Sequence, residues 1–277
     1  MPGRVYNSDN LEVLRGLADA SVDLIYIDPP FNTGRAQTRR SIKVEPDASG
    51  DRTGFKGVRY KTTELAERAY DDAFEDFLEF LRPRLVEARR VLKPTGSIYF
   101  HIDYREAHYC KVFLLDAIFG RDCFVNEIIW AYDYGGRPKR RWPAKHDTIF
   151  LYARDAALYT FNQDAIERIP YMAPGLVGPE KAARGKLPTD VWWHTIVPTA
   201  GREKTGYPTQ KPLGVVRRAI QASSNPGDVV LDFFAGSGTT GAACIEEGRE
   251  FILVDNNPQA IEVMRERFKE VKGIDWL

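Results

Sequence analysis

Residues 229–255 read VVLDFFAGSGTTGAACIEEGREFILVD, and their order decides the fold. Val229–Phe233 is an apolar run of strand length, Thr239–Glu247 has helical character, and Phe251–Asp255 is a second strand. Strand, glycine turn, helix and strand in succession make a βαβ unit of a parallel sheet. Glycines at Gly236, Gly238 and Gly241 let the backbone approach a ligand closely, and the helix N-terminus offers unpaired N–H groups to a carboxylate or phosphate. Asp255 closes the second strand, where it can take both hydroxyls of a ribose. The same pattern is also a dinucleotide fingerprint, so a nicotinamide-dependent oxidoreductase competes, and a plain tight turn is a third reading. Position disfavours the dinucleotide. Only one helix follows Asp255 in this sequence, so the rest of the sheet is expected from residues before the glycine turn.

Working outward, Val22–Asp28 (VDLIYID) is an apolar run that stops at Pro29-Pro30, as a buried parallel strand does. Phe74–Leu92 has helical apolar spacing ended by KPTG (93–96), Ser97–Ile102 is a strand, and Arg105–Phe119 is a helix ending at Gly120. Glu127–Tyr132 and Thr148–Tyr152 are β-rich, Leu213–Ser223 is helical, and a last helix starts at Pro258. Two stretches interrupt this alternation, a long loop 32–72 and the Pro- and Gly-rich segment 155–205. The expected division is therefore a first half at 1–154, an insertion at 155–205 and a second half at 206–277.

Asp28-Pro29-Pro30-Phe31 follows directly on a buried strand, at the carboxyl end of the sheet where open α/β folds bind ligands. The residue types suit chemistry on an exocyclic amine, whose lone pair is delocalised into the base. A carboxylate (Asp28) and a rigid backbone carbonyl (Pro29), each accepting one N–H, favour a pyramidal nitrogen with its lone pair free to attack. Phe31 offers a face for an extruded base. Taken alone, DPPF could equally be a loop that stops a strand.

Composition is that of an ordinary globular chain: 43% hydrophobic, 28% charged, with Lys plus Arg equal to Asp plus Glu at 39 each. A zero net charge disfavours bulk coating of nucleic acid. Local charge differs: residues 35–61 and 137–146 are strongly basic, which suits one cationic face. Neither a signal peptide nor a membrane span is read, so the cytoplasm is the expected address. Three cysteines without CxxC spacing and four histidines without a ligand pair give no metal site.

With DPPF, TGYPTQKP (205–212) and DFFAGSGTT (232–240) taken together, the sequence resembles the β-class DNA amino-methyltransferases, in which the catalytic motif precedes the cofactor motifs. RRVLKPTGSIYFHID (89–103) and FVNEIIWAYDYGG (124–136) extend the likeness over nearly the whole chain, and with DPPFNTG they are similar to type III modification subunits. The resemblance implies a seven-stranded, mostly parallel, Rossmann-like α/β sheet in circularly permuted order with an inserted target-recognition region. It implies S-adenosylmethionine as cofactor and double-stranded DNA as partner, with a homodimer and a restriction endonuclease as further expectations. Asp28, Pro29, Pro30 and Phe31 would be catalytic. Phe233, Gly236 and Gly238 would line the cofactor, with Asp232 and Thr239 beside them, and Asp255 would bind its ribose. Asp9 would meet its adenine, although the glycine that often precedes this aspartate is missing. Thr209 and Lys211 would hold the methionine carboxylate. Asp at the head of the PPF motif leans towards adenine N6, with cytosine N4 the alternative.

Arg137, Lys139, Arg140, Arg141 and Lys145, interleaved with Trp130, Tyr132, Tyr134 and Trp142, suit phosphate contacts with stacking. Segment 155–205, with Trp192 and Trp193, is the expected reader of target sequence. His101 and Asp103 end a core strand and read as structural. A catalytically silent DNA-binding module would explain the basic stretches but not the paired cofactor and amine motifs. Methylation at cytosine C5 needs a cysteine nucleophile, typically after proline, and no Pro-Cys occurs here.

Overall fold

The structure is a computed structural model describing residues 3–32, 37–47, 49, 52–53, 59–70, 76–198, 201 and 203–277. The chain starts with β1 (Gly3–Asn7), α1 (Asn10–Gly16) and β2 (Val22–Ile27). β3 (Gln37–Pro46), β4 (Arg52–Thr53) and β5 (Arg59–Tyr70) form an antiparallel sheet in the order β3-β5-β4. The stretch expected as loop 32–72 therefore contains a hairpin; runs such as Ile42-Lys43-Val44 opposite Thr62-Thr63-Glu64 pair in register. Of the basic residues in that stretch, Arg35 and Lys56 lie outside the described residues, as do the side chains of Arg39, Arg40, Lys43 and Arg52.

Next come α2 (Phe77–Val91) and β6 (Leu92–Asp103). The single helix expected over 105–119 is divided into α3 (Ala107–Cys110), a π-helical turn Lys111–Leu115 and α4 (Asp116–Phe119). β7 (Phe124–Ala131) and β8 (His146–Ala153) follow, then α5 (Pro179–Arg184) and β9 (Val191–Trp193) inside the irregular segment. The chain closes with α6 (Leu213–Ser223), β10 (Val229–Asp232), α7 (Thr239–Glu247), β11 (Glu250–Asp255), α8 (Pro258–Arg267) and β12 (Ile274–Trp276).

The main sheet has nine strands where seven were expected, in the order β12-β1-β11-β10-β2-β6-β8-β7-β9. The two extra strands, β12 and β9, are three residues each, too short to give a periodic signal, and they form only by pairing along β1 and β7. Pairing is parallel from β12 through β6, and β8 runs against both its neighbours. All six residues of β2 are buried, which explains the apolar run Leu24–Ile27; the one charge, Asp23, is paired with Lys93 Nζ at 2.8 Å. Leu24 and Tyr26 face the layer holding Val216, Ala219 and Ile220 of α6, while Ile25 and Ile27 face Leu81 and Leu85 of α2.

β10 and β2 come from opposite ends of the chain yet pair side by side, Val230 with Leu24 and Leu231 with Ile25. From β10 the chain moves outward to β11; from β2 it moves the other way to β6. The crevice beyond their carboxyl ends is therefore a topological switch point, the usual ligand site of such sheets. Gly238 caps α7 in the left-handed region at φ 71°, and a Cβ there would lie 2.8 Å from Met264 Cγ and 3.0 Å from Phe268 Cζ. Gly238→Ala should therefore destabilise the fold by about 1–3 kcal/mol, combining backbone strain with overpacking against α8. Denaturant unfolding of the variant against the parent checks this.

Candidate active site

A cavity of about 520 Å³ opens at the switch point. Asp28, Pro29, Pro30 and Phe31 line one wall; Phe233, Gly236, Thr239 and Asp255 line another; Thr209, Lys211 and Asp9 complete it. Two expected residues, Asp232 and Gly238, are not in its lining.

The pairing at its centre differs from expectation. Lys211 Nζ is bonded to Asp28 Oδ2, and the ammonium also sits 4.7 Å from the centroid of the Phe31 ring. Lys211 was expected at a cofactor carboxylate; its immediate partner is the carboxylate of DPPF. The other oxygen, Asp28 Oδ1, is buried without a hydrogen-bond partner. Thr239 Oγ1 donates to the Lys211 carbonyl at 3.2 Å, and Arg267 reaches Ser237 O at 3.0 Å and Thr239 Oγ1 at 3.2 Å, so α8 ties the lysine loop to the glycine turn.

Asp255 accepts Gly236 N–H at 2.8 Å and Asn257 N–H at 2.9 Å, and burial raises its carboxyl above the usual range. Asp232 lies deeper. It accepts Phe234 N–H at 3.0 Å and Thr240 Oγ1–H at 2.6 Å, which braces the turn. Burial, aided by the nearby charges of Asp28 and Asp255, pushes its carboxyl up to about 7. Asp9 caps α1, accepting Leu11 N–H at 2.9 Å, and pairs with Arg84 Nη2 at 3.1 Å.

Sequence reasoning missed Asn10, Phe80, Arg84, Tyr207 and Phe234, all in the cavity wall. Arg84 was findable: it sits among Phe77, Leu81, Ala88 and Val91 on the buried stripe of α2, a charge where an apolar residue belongs. It donates to Asn10 Oδ1 at 2.5 Å, and Asn10 Nδ2 donates to the Phe233 carbonyl at 2.7 Å, so α2 holds both α1 and the glycine turn. Tyr207 gave no signal before the fold brought it within 3.2 Å of where a Gly236 Cβ would stand.

The residues expected to meet DNA divide in two. Lys139, Arg140 and Arg141 are exposed, Trp142 is 94% exposed, and Arg137 pairs with Asp133 at 2.7 Å. Lys145 folds back on the carbonyls of Tyr134, Gly135 and Gly136. Trp130 and Trp192, by contrast, are buried in the core, so neither offers a free stacking face. Arg141 also lines a polar cavity of about 270 Å³ with Asp103, Tyr104, Arg105, Tyr132 and Asp147. None of the three cysteines lines the large cavity, and burial raises the thiols of Cys110 and Cys244. Among the described residues no cluster of His, Cys, Asp or Glu could hold a metal ion, and no helix is long and apolar enough to cross a membrane.

An α/β sheet whose switch-point cavity joins a DPPF carboxylate to a glycine turn and a strand-end aspartate is the arrangement that the resemblance to amino-methyltransferases implies. Residues 22–266 match the N6/N4 family described as DNA methylase, and the chain belongs to that family. It is an S-adenosylmethionine-dependent DNA amino-methyltransferase. The type II methyltransferase M.HpaI of Haemophilus parainfluenzae is 33% identical over 99% of this chain and 77% of its own length. The DNA adenine methyltransferase YhdJ of Escherichia coli K12 is 32% identical over 94% of this chain and 80% of its own. In fold, the cytosine-N4-specific PvuII DNA methyltransferase superposes with a TM-score of 0.66 at 17% identity, covering 97% of this chain and 86% of that one.

The raised carboxyl of Asp232 has a consequence for stability. Its pKa is higher in the folded chain than its ordinary 3.8, so burying the charge costs stability. That cost is absent below 3.8 and complete above about 7. Asp232→Asn keeps an acceptor for Phe234 N–H and removes the charge. Unfolding measured across this window should show the parent losing stability, relative to the variant, as pH rises.

Proposed function

We propose that this chain methylates N6 of adenine in double-stranded DNA, with the target base extruded against Phe31. The observation that carries the reading is Asp28 Oδ1, a buried acceptor with no partner in a cavity of ligand size. An unpaired buried acceptor costs about 1–3 kcal/mol, a cost removed when a ligand brings a donor. An exocyclic amine has two such N–H groups. Lys211 holds Oδ2, so Oδ1 is the oxygen turned over to the substrate, and the Pro29 carbonyl is the second acceptor.

The cavity also fits the cofactor. Its volume suits a nucleoside with an amino-acid tail, Asp255 has lone-pair capacity beyond its two backbone bonds, and Gly236 lines the wall without a side chain. We assign Asp255 to the ribose, Gly236, Phe233 and Thr239 to the lining, Asp9 to the adenine end and Thr209 to the methionine end. Asp232 and Gly238 hold the turn from behind. When bound, the cofactor supplies an electrophilic sulfonium methyl. Asp28 accepts an N–H of the amine, raises the electron density on nitrogen, and takes up the proton that nitrogen sheds once its new N–C bond has formed. No cysteine is needed, in keeping with the position of all three away from the cavity.

Adenine is favoured by the Asp at the head of PPF and by the named activity of the YhdJ relative. The loop 137–141 is the proposed phosphate contact, and segment 155–205 the proposed reader of sequence. A homodimer is supported by Tyr109 of α3 and Val112 and Phe113 of the π-helical turn, which are exposed at helical spacing. A restriction endonuclease partner and a cytoplasmic site of action suit a modification enzyme.

DNA copied with N6-methyl-dATP in place of dATP should accept no methyl group, while DNA copied with N4-methyl-dCTP should remain a substrate. The reverse pattern would make the enzyme a cytosine N4 methyltransferase. Asp28→Asn should lower turnover by roughly a thousandfold or more while calorimetry finds cofactor binding near normal, because the lost negative charge and proton acceptor serve the amine. Replacing Arg140 and Arg141 together by Ala should weaken DNA binding and flatten its salt dependence by roughly two counterions. An unchanged slope would remove the loop from the DNA interface.

A further inference from the structure

His101 and Asp147 belong to a buried polar chain that the mechanism above does not use. Asp147 Oδ2 lies 3.2 Å from His101 Nε2, and His101 Nδ1 lies 2.9 Å from the Tyr26 hydroxyl. Tyr132 closes the far end by donating to Asp147 Oδ1 at 3.0 Å. His101 is fully buried, Tyr26 is 1% exposed and Asp147 6%. The imidazole is wedged edge-on against Trp130 at 5.5 Å, with Phe31 of the DPPF motif 6.0 Å away. Tyr26 is on β2 and Asp28 follows directly on its end, two residues further on, and both line the large cavity.

The chain has a direction. Burial opposes charge on Asp147, but the hydrogen bonds from His101 and Tyr132, together with the nearby charge of Lys211, hold its carboxyl below the usual range. An ionised Asp147 can only accept, so His101 Nε2 carries the proton between them. The buried Tyr26 O–H needs an acceptor, and its hydrogen-bond partner among the described residues is His101 Nδ1, which therefore accepts. Burial raises the Tyr26 phenol far above its ordinary value, with Asp28, Asp232 and Asp147 adding to the effect, so this proton stays on oxygen. With its hydrogen committed to His101, Tyr26 cannot donate to Asp28, and a group in the cavity that Tyr26 lines can meet its oxygen only at a lone pair.

We infer that Tyr26 is a further catalytic residue, an oxygen acceptor facing the amine as it becomes positively charged, and that His101 and Asp147 are positioning residues that orient its hydroxyl. This rests on the assignment of the cavity as the amine site. The reaction balance is unchanged: the N–C bond forms, the S–C pair leaves with sulfur, and the single proton released goes to Asp28. The Tyr26 oxygen adds a dipole directed at the developing cation, fixed before the base arrives.

The test is a double-mutant cycle in single-turnover kinetics at saturating S-adenosylmethionine and DNA. Tyr26→Phe should slow methyl transfer by roughly tenfold or more, with the apparent affinities for both substrates within about twofold. Asp147→Asn should also slow transfer in the parent, but should cost nothing further in the Tyr26→Phe background, because it acts only through that hydroxyl. If Asp147→Asn does not fold, His101→Asn, which keeps an acceptor near Tyr26 and loses Asp147, replaces it in the same cycle. Parental rates in Tyr26→Phe, or an equal Asp147→Asn (or His101→Asn) penalty with and without the tyrosine oxygen, would overturn the inference. Asp28→Asn serves as the control: if it too transfers at the parental rate, the amine-site assignment itself fails, whereas loss of activity there alone leaves that assignment standing.

Discussion

The ion pair between Lys211 and Asp28 is the interaction on which the site depends. It spans 183 residues and joins the two halves of a permuted chain. Asp28 is delivered by β2 from the first half, and Lys211 by the loop before α6 from the second. The pairing of β2 with β10 brings these ends together, and Thr239, itself held by Arg267 of α8, bonds the carbonyl of the lysine. Removing one partner of this largely buried pair would leave the other charge uncompensated, so each half of the chain depends on the other here.

Charge explains the arrangement further. Asp28, Asp232 and Asp255 crowd one rim of the sheet, and Lys211 is the ammonium paired within it. The deepest of the three, Asp232, has its carboxyl raised by burial; it has two internal donors and braces the turn. Asp255 keeps two backbone donors and borders the cavity. Asp28 alone has an oxygen with no donor at all. The three carboxylates thus share one neighbourhood but differ in how much hydrogen-bonding capacity each has left for a ligand.

Much of this was legible in the sequence. The bounds of α6 and α7 follow directly from periodicity and glycine punctuation, and the order of DPPF before the glycine turn dictated that strands from both halves share one sheet. What could not be read were features created by distant contacts. β9 and β12 are three-residue strands that exist only through their neighbours, and the hairpin in 37–70 lacks a two-residue turn signal. Trp130 looks like a stacking residue beside the basic loop, yet its indole N–H is spent on the His194 carbonyl at 2.7 Å inside the core. The pairing of Lys211 with Asp28 was not legible for the same reason: a lysine in a loop does not announce which carboxylate of its own chain it will meet across 183 residues. Arg84 is the instructive case, since a charge on a buried helical stripe was visible and pointed to a polar network.

The central claim is that Asp28 and its neighbours activate an exocyclic nitrogen for direct attack on a methyl group. The most direct measurement is to incubate the protein with DNA and S-adenosylmethionine carrying an isotopically labelled methyl, digest the DNA and identify the labelled nucleoside by mass spectrometry. The account predicts label on N6-methyladenine. Label in 5-methylcytosine, or in no nucleoside while the cofactor binds, would contradict it.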